Sequence, residues 1–198
     1  GVAYVGVRNS CHFGAAGYYV AQAARANCIG IAMANDIPSV AAPGSRGAIT
    51  GSNPFSYAIP AGPDHDPILL DVAMSTVAGG KVYAAVTRGE SIPDGWIIGP
   101  DGKPTREGKL YPHEATLVPF GAHKGYGIAL LIESLAAIVT GAAVTWQVGS
   151  WIFGDPSTPT DHGAAFLAID PSILGSRDEF QRRVAALIDE IHAAPTVD

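Results

Sequence analysis

The chain has 198 residues, of which 47% are hydrophobic and 15% are charged, so it can bury a core and we predict one domain over residues 1–198. Twelve Lys and Arg residues against eighteen Asp and Glu residues give a net charge of -6, and the basic residues are scattered along the chain. This pattern excludes the electrostatic footprint of a nucleic-acid-binding protein.

The cysteines and the N-terminal residues are typical of a cytoplasmic protein. Cys11 and Cys28 form no C-x-x-C pair, which fits a reducing compartment. Residues 2–7 are an apolar run without the basic lead of a signal peptide, so nothing directs the chain to secretion. Residues 125–144 are long enough to span a membrane, but Glu133 stands at their centre, and we predict a buried helix of a soluble protein and no membrane partner.

The first third of the chain predicts a βαβ unit. Residues 2–7 and 28–33 are apolar strand-like runs, and residues 18–26 between them are Ala-rich and helical. This order implies parallel strands in a covered sheet. Residues 35–54 carry three prolines and three glycines without periodicity, so we expect a long loop, either functional or disordered.

The rest of the chain continues the α/β pattern. We predict strands at 56–59 and 68–70, a helix at 78–87, a surface loop at 91–105, a buried helix from about Lys124 to Gly141, and a strand at 164–169. The apolar stripe of the buried helix comprises Ile128, Leu131, Ile132, Leu135, Ile138 and Val139. A capping box of Ser176 with Glu179 predicts a last helix.

His12 is the candidate catalytic residue. It lies in NSCHFGAAG, residues 9–17, where a strand hands over to a helix, and ligands of open α/β sheets bind at the carboxyl ends of strands. Histidine can give or take a proton near neutral pH. The alternative is a histidine that caps the helix or fills a polar niche, and its position leaves both open.

The glycine motifs match neither standard nucleotide fingerprint. Gly14 and Gly17 form G-x-x-G, and no acidic residue follows at the Rossmann spacing. Gly80-Lys81 is followed by Val82 instead of Ser or Thr, which excludes a Walker A motif.

Two other segments carry groups that suit a dinucleotide. Asp71 follows an apolar strand and can bind a ribose, or it can cap the next helix. Lys124 stands in PFGAHKGYG at a helix start, where free N–H groups and a cation favour phosphate. The alternative for Lys124 is a lysine whose charge reaches solvent from an apolar helix.

The histidines do not predict a metal site, because none forms H-x-x-x-H or H-x-H; they are His12, His65, His113, His123, His162 and His192. Ser10, Cys11 and His12 are consecutive, but neighbours on a strand point to opposite faces, so they do not form a triad.

Taken together, five segments resemble the malate/L-lactate dehydrogenase family that is distinct from the Rossmann-type malate and lactate dehydrogenases. They occur in the family's order over nearly the whole chain: NSCHFGAAGYY, NDIPSVAAPGSRGAITGSNP, LLDVAMSTVAGGKV, IPDGW with DGKPT, and PFGAHKGYGIALLIE. An ordered set of this kind is far more specific than any single motif.

The resemblance implies a mixed α/β sheet covered by helices, a non-Rossmann dinucleotide-binding fold, NAD or NADP as cofactor, a small carboxylic acid as substrate and a homodimer. It implies His12 as the proton donor or acceptor. The residues that it implies for contact with the dinucleotide are Asp36, Asp71, Val72, Ala73, Lys124 and Gly125.

The chain also departs from the family. An N-terminal helical segment with a Ser-His-Gly motif and a nearby Arg, and a C-terminal Pro-Gly-Glu stretch, have no counterpart, so we expect a chain that is incomplete at both ends. Ser45 replaces the second glycine of a usual Gly-Gly. Three functions therefore stay open: an NAD(P)-dependent oxidoreductase of 2-hydroxy, 2-oxo or 2-imino acids, a catalytically inert fragment or subunit of the same family, and a metal-assisted hydrolase.

Overall fold

A computed structural model describes residues 1–197 and contains, over that range, two five-stranded sheets and four α-helices. The strands, in chain order, are β1 (Val2–Ser10), β2 (Ile29–Ala34), β3 (Val40–Ala41), β4 (Ala48–Thr50), β5 (Phe55–Ile59), β6 (Ile68–Val72), β7 (Ile97–Ile98), β8 (Pro104–Thr105), β9 (Thr116–Leu117) and β10 (His162–Ile169). The helices are α1 (Ala16–Arg25), α2 (Gly79–Thr87), α3 (His123–Ile132) and α4 (Arg177–His192).

The larger sheet has the order β1-β10-β2-β5-β6, and all of its neighbouring strands are antiparallel. The predicted elements β1, α1 and β2 are confirmed, and β1 and β2 run in the same direction. The predicted parallel pairing is wrong, because β10, from the other end of the chain, lies between the two strands. The connection from β1 to β2 leaves one strand position between them in the sheet, and β10 occupies this position.

Helices cover both faces of this sheet. Side chains alternate between the two faces of a strand, and in β2 Ala32 packs with Val20 of α1, whereas Met33 packs with Ile132 of α3. The predicted mixed α/β fold with a covered sheet is therefore confirmed. Within the described residues, none of the helices combines the length and the apolarity that crossing a bilayer needs.

The smaller sheet, with the order β4-β3-β9-β7-β8, contradicts two loop predictions. The segment 35–54 contains β3 and β4, and the segment 91–105 contains β7 and β8. Ile92 and Ile97 are 1% and 0% exposed, so the second segment is anchored in a core and is not a surface loop. These strands have two or three residues each, which is too short for a periodic pattern.

The predicted buried helix has the right place but the wrong buried face. Helix α3 ends at Ile132, and a π-helical turn, Glu133–Ile138, continues it. Of the predicted apolar stripe, Ile132 is buried, while Ile128, Leu131, Ile138 and Val139 are exposed. The buried face carries mostly small residues: Gly125, Ala129, Ile132, Glu133, Ala136 and Ala137. Small side chains let the helix backbone approach the sheet closely.

The last helix is confirmed. The Ser176 hydroxyl accepts a hydrogen bond from the Glu179 N–H at 3.1 Å, which is one of the two bonds of the predicted capping box. The Glu179 carboxylate pairs with Arg182. Val184 is the buried residue of α4, whereas its apolar side chains Leu187 and Ile191 are exposed.

Candidate functional site

The predicted site segments meet at one edge of the larger sheet. Strands β1, β2 and β6 run in the same direction and end at this edge, where β5 and β10 begin. The register pairs Ser10 with His162 and Phe55 with Val72. His12, Asp36 and residues 71–73 therefore follow or end strands on the same side of the molecule.

The start of α3 is joined to this edge through the backbone. The Phe120 N–H donates to the Met74 carbonyl oxygen at 3.1 Å. A Cβ atom at Gly125 would lie 2.6 Å from the Phe120 carbonyl oxygen and 2.8 Å from that of Met74, so this position needs glycine. Lys124, one residue earlier, is exposed in the first turn of α3.

Asp71 caps a helix, but not the one that the sequence favours. Its Oδ2 accepts a hydrogen bond from the Gly17 N–H at 2.8 Å, in the first turn of α1, instead of capping the helix that follows it in the chain. The contact places this carboxylate beside the turn that carries His12. Val72 and Ala73, which follow it, are half-buried.

His12 is exposed and its ring stacks on Trp151, with ring centroids 4.5 Å apart and 17° between the planes. The neighbouring Phe153 packs against His113 at 5.4 Å. The loop that carries both aromatic residues therefore lies over the end of β1. Sequence reasoning missed these contacts, since Trp151 and His12 are far apart in the chain.

Asp36 is held by a histidine that the sequence did not single out for this role. Its Oδ1 accepts a hydrogen bond from the Ile37 N–H at 2.8 Å and lies 3.1 Å from His162 Nε2. His162 is 2% exposed, and its Nδ1 lies 2.9 Å from Thr160 Oγ1. The separation of residues 36 and 162 in the sequence does not predict this contact, because it arises from the pairing of β10 with β2.

Beneath Asp36 lies a buried polar network centred on Glu133. Its two carboxylate oxygens accept hydrogen bonds from Asn53 Nδ2 at 3.1 Å and Asn35 Nδ2 at 3.4 Å. Asn53 in turn accepts the Asp36 N–H at 3.2 Å, so the network supports the backbone of that loop. Burial raises the pKa of Glu133, and the amide donors of Asn53 and Asn35 oppose this rise.

Tyr111 is a further polar group near Asp36. Burial raises the pKa of this phenol, and the neighbouring Tyr83 and the Asp36 carboxylate raise it further. The phenol therefore keeps its proton at neutral pH and can act as a hydrogen-bond donor.

A cavity of about 290 Å³ opens beside the start of α3. Ala122 lines it from the helix side, and Gly44, Ser45 and Arg46 line it from the loop that contains the glycine replacement. Among residues 1–197, no cluster of three His, Cys, Asp or Glu side chains is placed to hold a metal ion.

The helices on both faces of the larger sheet, and the polar strand edge that is joined to the start of α3, define an α/β protein with a candidate site at this edge. Residues 1–198 match the Malate/L-lactate dehydrogenase family, and the chain belongs to that family.

Relatives of known name agree with this assignment. The L-sulfolactate dehydrogenase of Methanothermobacter thermautotrophicus is 38% identical over 199 residues, which are 100% of this chain and 56% of that protein. The ureidoglycolate dehydrogenase (NAD(+)) of Escherichia coli K12 is 34% identical over 98% of this chain and 54% of its own length. The crystal structure of Δ1-piperideine-2-carboxylate reductase from Pseudomonas syringae superposes with a TM-score of 0.90 at 29% identity, over 100% of this chain and 59% of that one. The chain thus spans little more than half the length of these relatives.

Proposed function

We propose that the protein is an NAD(P)-dependent oxidoreductase that transfers a hydride between nicotinamide and a 2-hydroxy, 2-oxo or 2-imino carboxylic acid. The observation that carries the proposal is that His12, Asp36 and Asp71 lie at strand ends on one side of the sheet, to which the Phe120 to Met74 hydrogen bond joins the start of α3 with Lys124, in a chain of this family. The names of the relatives support the reaction class, since they include dehydrogenases and a reductase of small carboxylic acids.

The residues at this edge fit a dinucleotide. Lys124 would hold its pyrophosphate from the start of α3, where the N–H groups of Lys124 and Gly125 already donate to backbone carbonyl oxygens, and Gly125 lets the helix backbone lie close to the end of β6. Asp36 and Asp71 offer carboxylate oxygens to ribose hydroxyls, and Val72 and Ala73 add backbone beside them. When bound, NADH or NADPH would supply the hydride from its nicotinamide ring in the direction of reduction, and NAD⁺ or NADP⁺ would accept it in the direction of oxidation.

His12 supplies the proton in this proposal. In the direction of reduction it protonates the alkoxide oxygen or the amine nitrogen on C2 of the substrate as the hydride is transferred, and in the direction of oxidation it takes that proton back. The stacked ring of Trp151 holds the imidazole in one plane and shields one of its faces from water.

We further propose a homodimer in the cytoplasm. Cys11 and Cys28 are free thiols, which suits a reducing compartment. The apolar residues that α3 and its π-helical turn leave exposed suit a subunit interface.

The substitution His12→Asn tests the catalytic role. We expect kcat/KM at saturating cofactor to fall by about 10² to 10⁴, the range for loss of a general acid. His192→Asn, in the last turn of α4, is the matched control and should change kcat/KM little. A His12→Asn enzyme within a few-fold of the parent would remove His12 from the mechanism.

The second candidate, which the match over 56% of the sulfolactate dehydrogenase leaves open, is a catalytically inert fragment or subunit of the same family. It predicts that the chain binds NADH or NADPH but turns over no 2-oxo acid. A parent chain that binds NADH or NADPH but reduces no 2-oxo acid would support the inert fragment, and measurable reduction of a 2-oxo acid would contradict it.

A further inference from the structure

His162 is a buried histidine that the proposed mechanism does not use. It begins β10, between the ends of β1 and β2, and it is 2% exposed. Its two ring nitrogens contact Thr160 Oγ1 at 2.9 Å and Asp36 Oδ1 at 3.1 Å. The ring therefore connects the loop after β2 with the residues that precede β10.

The partners of this ring assign the proton between His162 and Asp36. Nδ1 faces Thr160 Oγ1, which also lies 3.1 Å from the Ser10 carbonyl oxygen. Asp36 Oδ1 already accepts the Ile37 N–H, and a carboxylate oxygen is an acceptor, so Nε2 must carry a proton.

The consequence for Asp36 is a fixed carboxylate. Two donors, the Ile37 N–H and His162 Nε2–H, converge on Oδ1, and the Asp36 N–H is itself held by Asn53. Among the contacts of the described residues, Oδ2 has no protein donor, and the Asp36 side chain is 19% exposed. One oxygen is thus anchored, and the other remains free for a ligand.

We propose that His162 is a positioning residue for the dinucleotide, which holds Asp36 through Nε2 and presents Oδ2 to a ribose hydroxyl. This inference rests on the proposed function of Asp36. His162 is buried behind Asp36, so it acts on the ligand through this carboxylate and not by direct contact. The Ser10 to Thr160 bond also ties the pair to the end of β1, two residues before His12.

Two isosteric variants separate positioning from packing. In His162→Asn the amide nitrogen lies where Nδ1 was, so the Thr160 contact can persist while the Asp36 contact is lost. In His162→Gln the amide nitrogen lies where Nε2 was and can still donate to Asp36. We expect His162→Asn to raise the Kd for NADH or NADPH by about tenfold, the loss typical of a hydrogen bond to a charged group, and His162→Gln to stay within about twofold of the parent.

A double-mutant cycle with Asp36→Asn completes the test. If His162 acts through Asp36, the substitution His162→Asn should not raise the Kd further in the Asp36→Asn background. Additive effects, or equal losses for the Asn and Gln variants, would mean a structural role and would overturn the inference. An unchanged Kd for Asp36→Asn alone, or a parent chain that binds neither nucleotide, would instead overturn the proposed function of Asp36 and the inference with it.

Nuclear magnetic resonance tests the pair without any nucleotide. In the ¹⁵N-labelled parent chain, Nε2 of His162 should show the shift of a protonated nitrogen, and Asp36→Asn should alter this signal. An unprotonated Nε2 in the parent chain would contradict the assigned hydrogen bond to Asp36 and overturn the positioning role, whatever the binding results.

Discussion

At the scale of single residues, the two acidic groups of the site are anchored by the protein. Asp71 accepts a bond from the start of α1, and Asp36 is held by His162 and its own loop. Lys124, in contrast, is exposed, and it forms no ion pair with a described residue. The protein therefore holds the two carboxylates in place, while the Lys124 side chain is exposed to solvent.

This difference predicts the effect of Lys124→Ala. The variant should raise the Kd for NADH or NADPH by about fivefold to a hundredfold, because it removes a charge-assisted hydrogen bond to phosphate. Lys81→Ala is the matched control, since Lys81 is an exposed lysine in the first turn of α2. Fluorescence titration measures both, and an unchanged Kd for Lys124→Ala would make Lys124 an ordinary surface lysine.

The buried carboxyl of Glu133 predicts a pH dependence of stability. Its pKa in the folded protein is raised above the ordinary value of 4.5, so its contribution to stability is fully present below that value and is lost as the pH rises through the folded pKa. The free energy of unfolding of the parent, minus that of Glu133→Gln, should therefore decrease as the pH rises above 4.5.

Urea unfolding across this pH range measures the difference. Glu190→Gln on the exposed face of α4 is the control, and its difference from the parent should show no comparable fall. A difference for Glu133→Gln that increases with pH would mean that the amide donors outweigh burial in setting the pKa of Glu133.

At the scale of elements, the contact between β10 and the π-helical turn decides how closely helix and sheet approach. A Cβ atom at Gly163 would lie 1.9 Å from the Ala136 carbonyl oxygen and 2.9 Å from the Ala142 side chain. Backbone cannot yield as a flexible side chain does, so the close approach requires glycine here. The neighbouring His162 and Asn35 depend on the same approach, since the Gly163 N–H donates to Asn35 Oδ1 at 2.8 Å.

Gly163→Ala should therefore lower the free energy of unfolding by about 3 kcal/mol or more, the upper end of the cost of overpacking. Gly80→Ala, in the first turn of α2 with nothing within 4 Å of its Cβ position, should be neutral or should stabilise by up to about 1 kcal/mol. Thermal and urea unfolding compare the two. Equal stabilities of the two variants would show that the backbone near residue 136 can move aside at no cost.

At the scale of the whole molecule, the chain exposes more surface than its mass requires. Its accessible surface is 11025 Å² for 20.4 kDa, whereas a compact monomer of that mass exposes about 8,800 Å². The exposed apolar side chains include Ile128, Leu131, Ile138 and Val139 along α3 and its extension. An excess of about 2,200 Å² is comparable to the area that a stable interface buries.

We therefore expect the chain to self-associate at micromolar concentration, because apolar surface of this extent is unfavourable in water. Light scattering coupled to size exclusion should give a mass of at least twice 20.4 kDa. A monodisperse monomer that melts cooperatively and binds no hydrophobic dye would contradict the expectation.

The sequence by itself determined the family and the longer elements, and it predicted the residues of the candidate site. Strands and helices of five or more residues carry a periodic pattern or a capping residue such as Ser176, and both depend on neighbours in the chain. His12, Asp36, Asp71 and Lys124 each stand beside the end of such an element, so their shared edge follows once the strand directions are known.

Only the tertiary structure decided which residues anchor the site and which faces are buried. It inserted β10 between β1 and β2, brought His162 to Asp36, stacked Trp151 on His12 and buried the small-residue face of α3 instead of its larger stripe. The reason is physical: these partners are separated by more than a hundred residues, or they depend on how closely two backbones approach. Local hydrophobicity and residue spacing predict neither the distant contacts nor the closeness of two backbones, because the packing of the whole chain sets both.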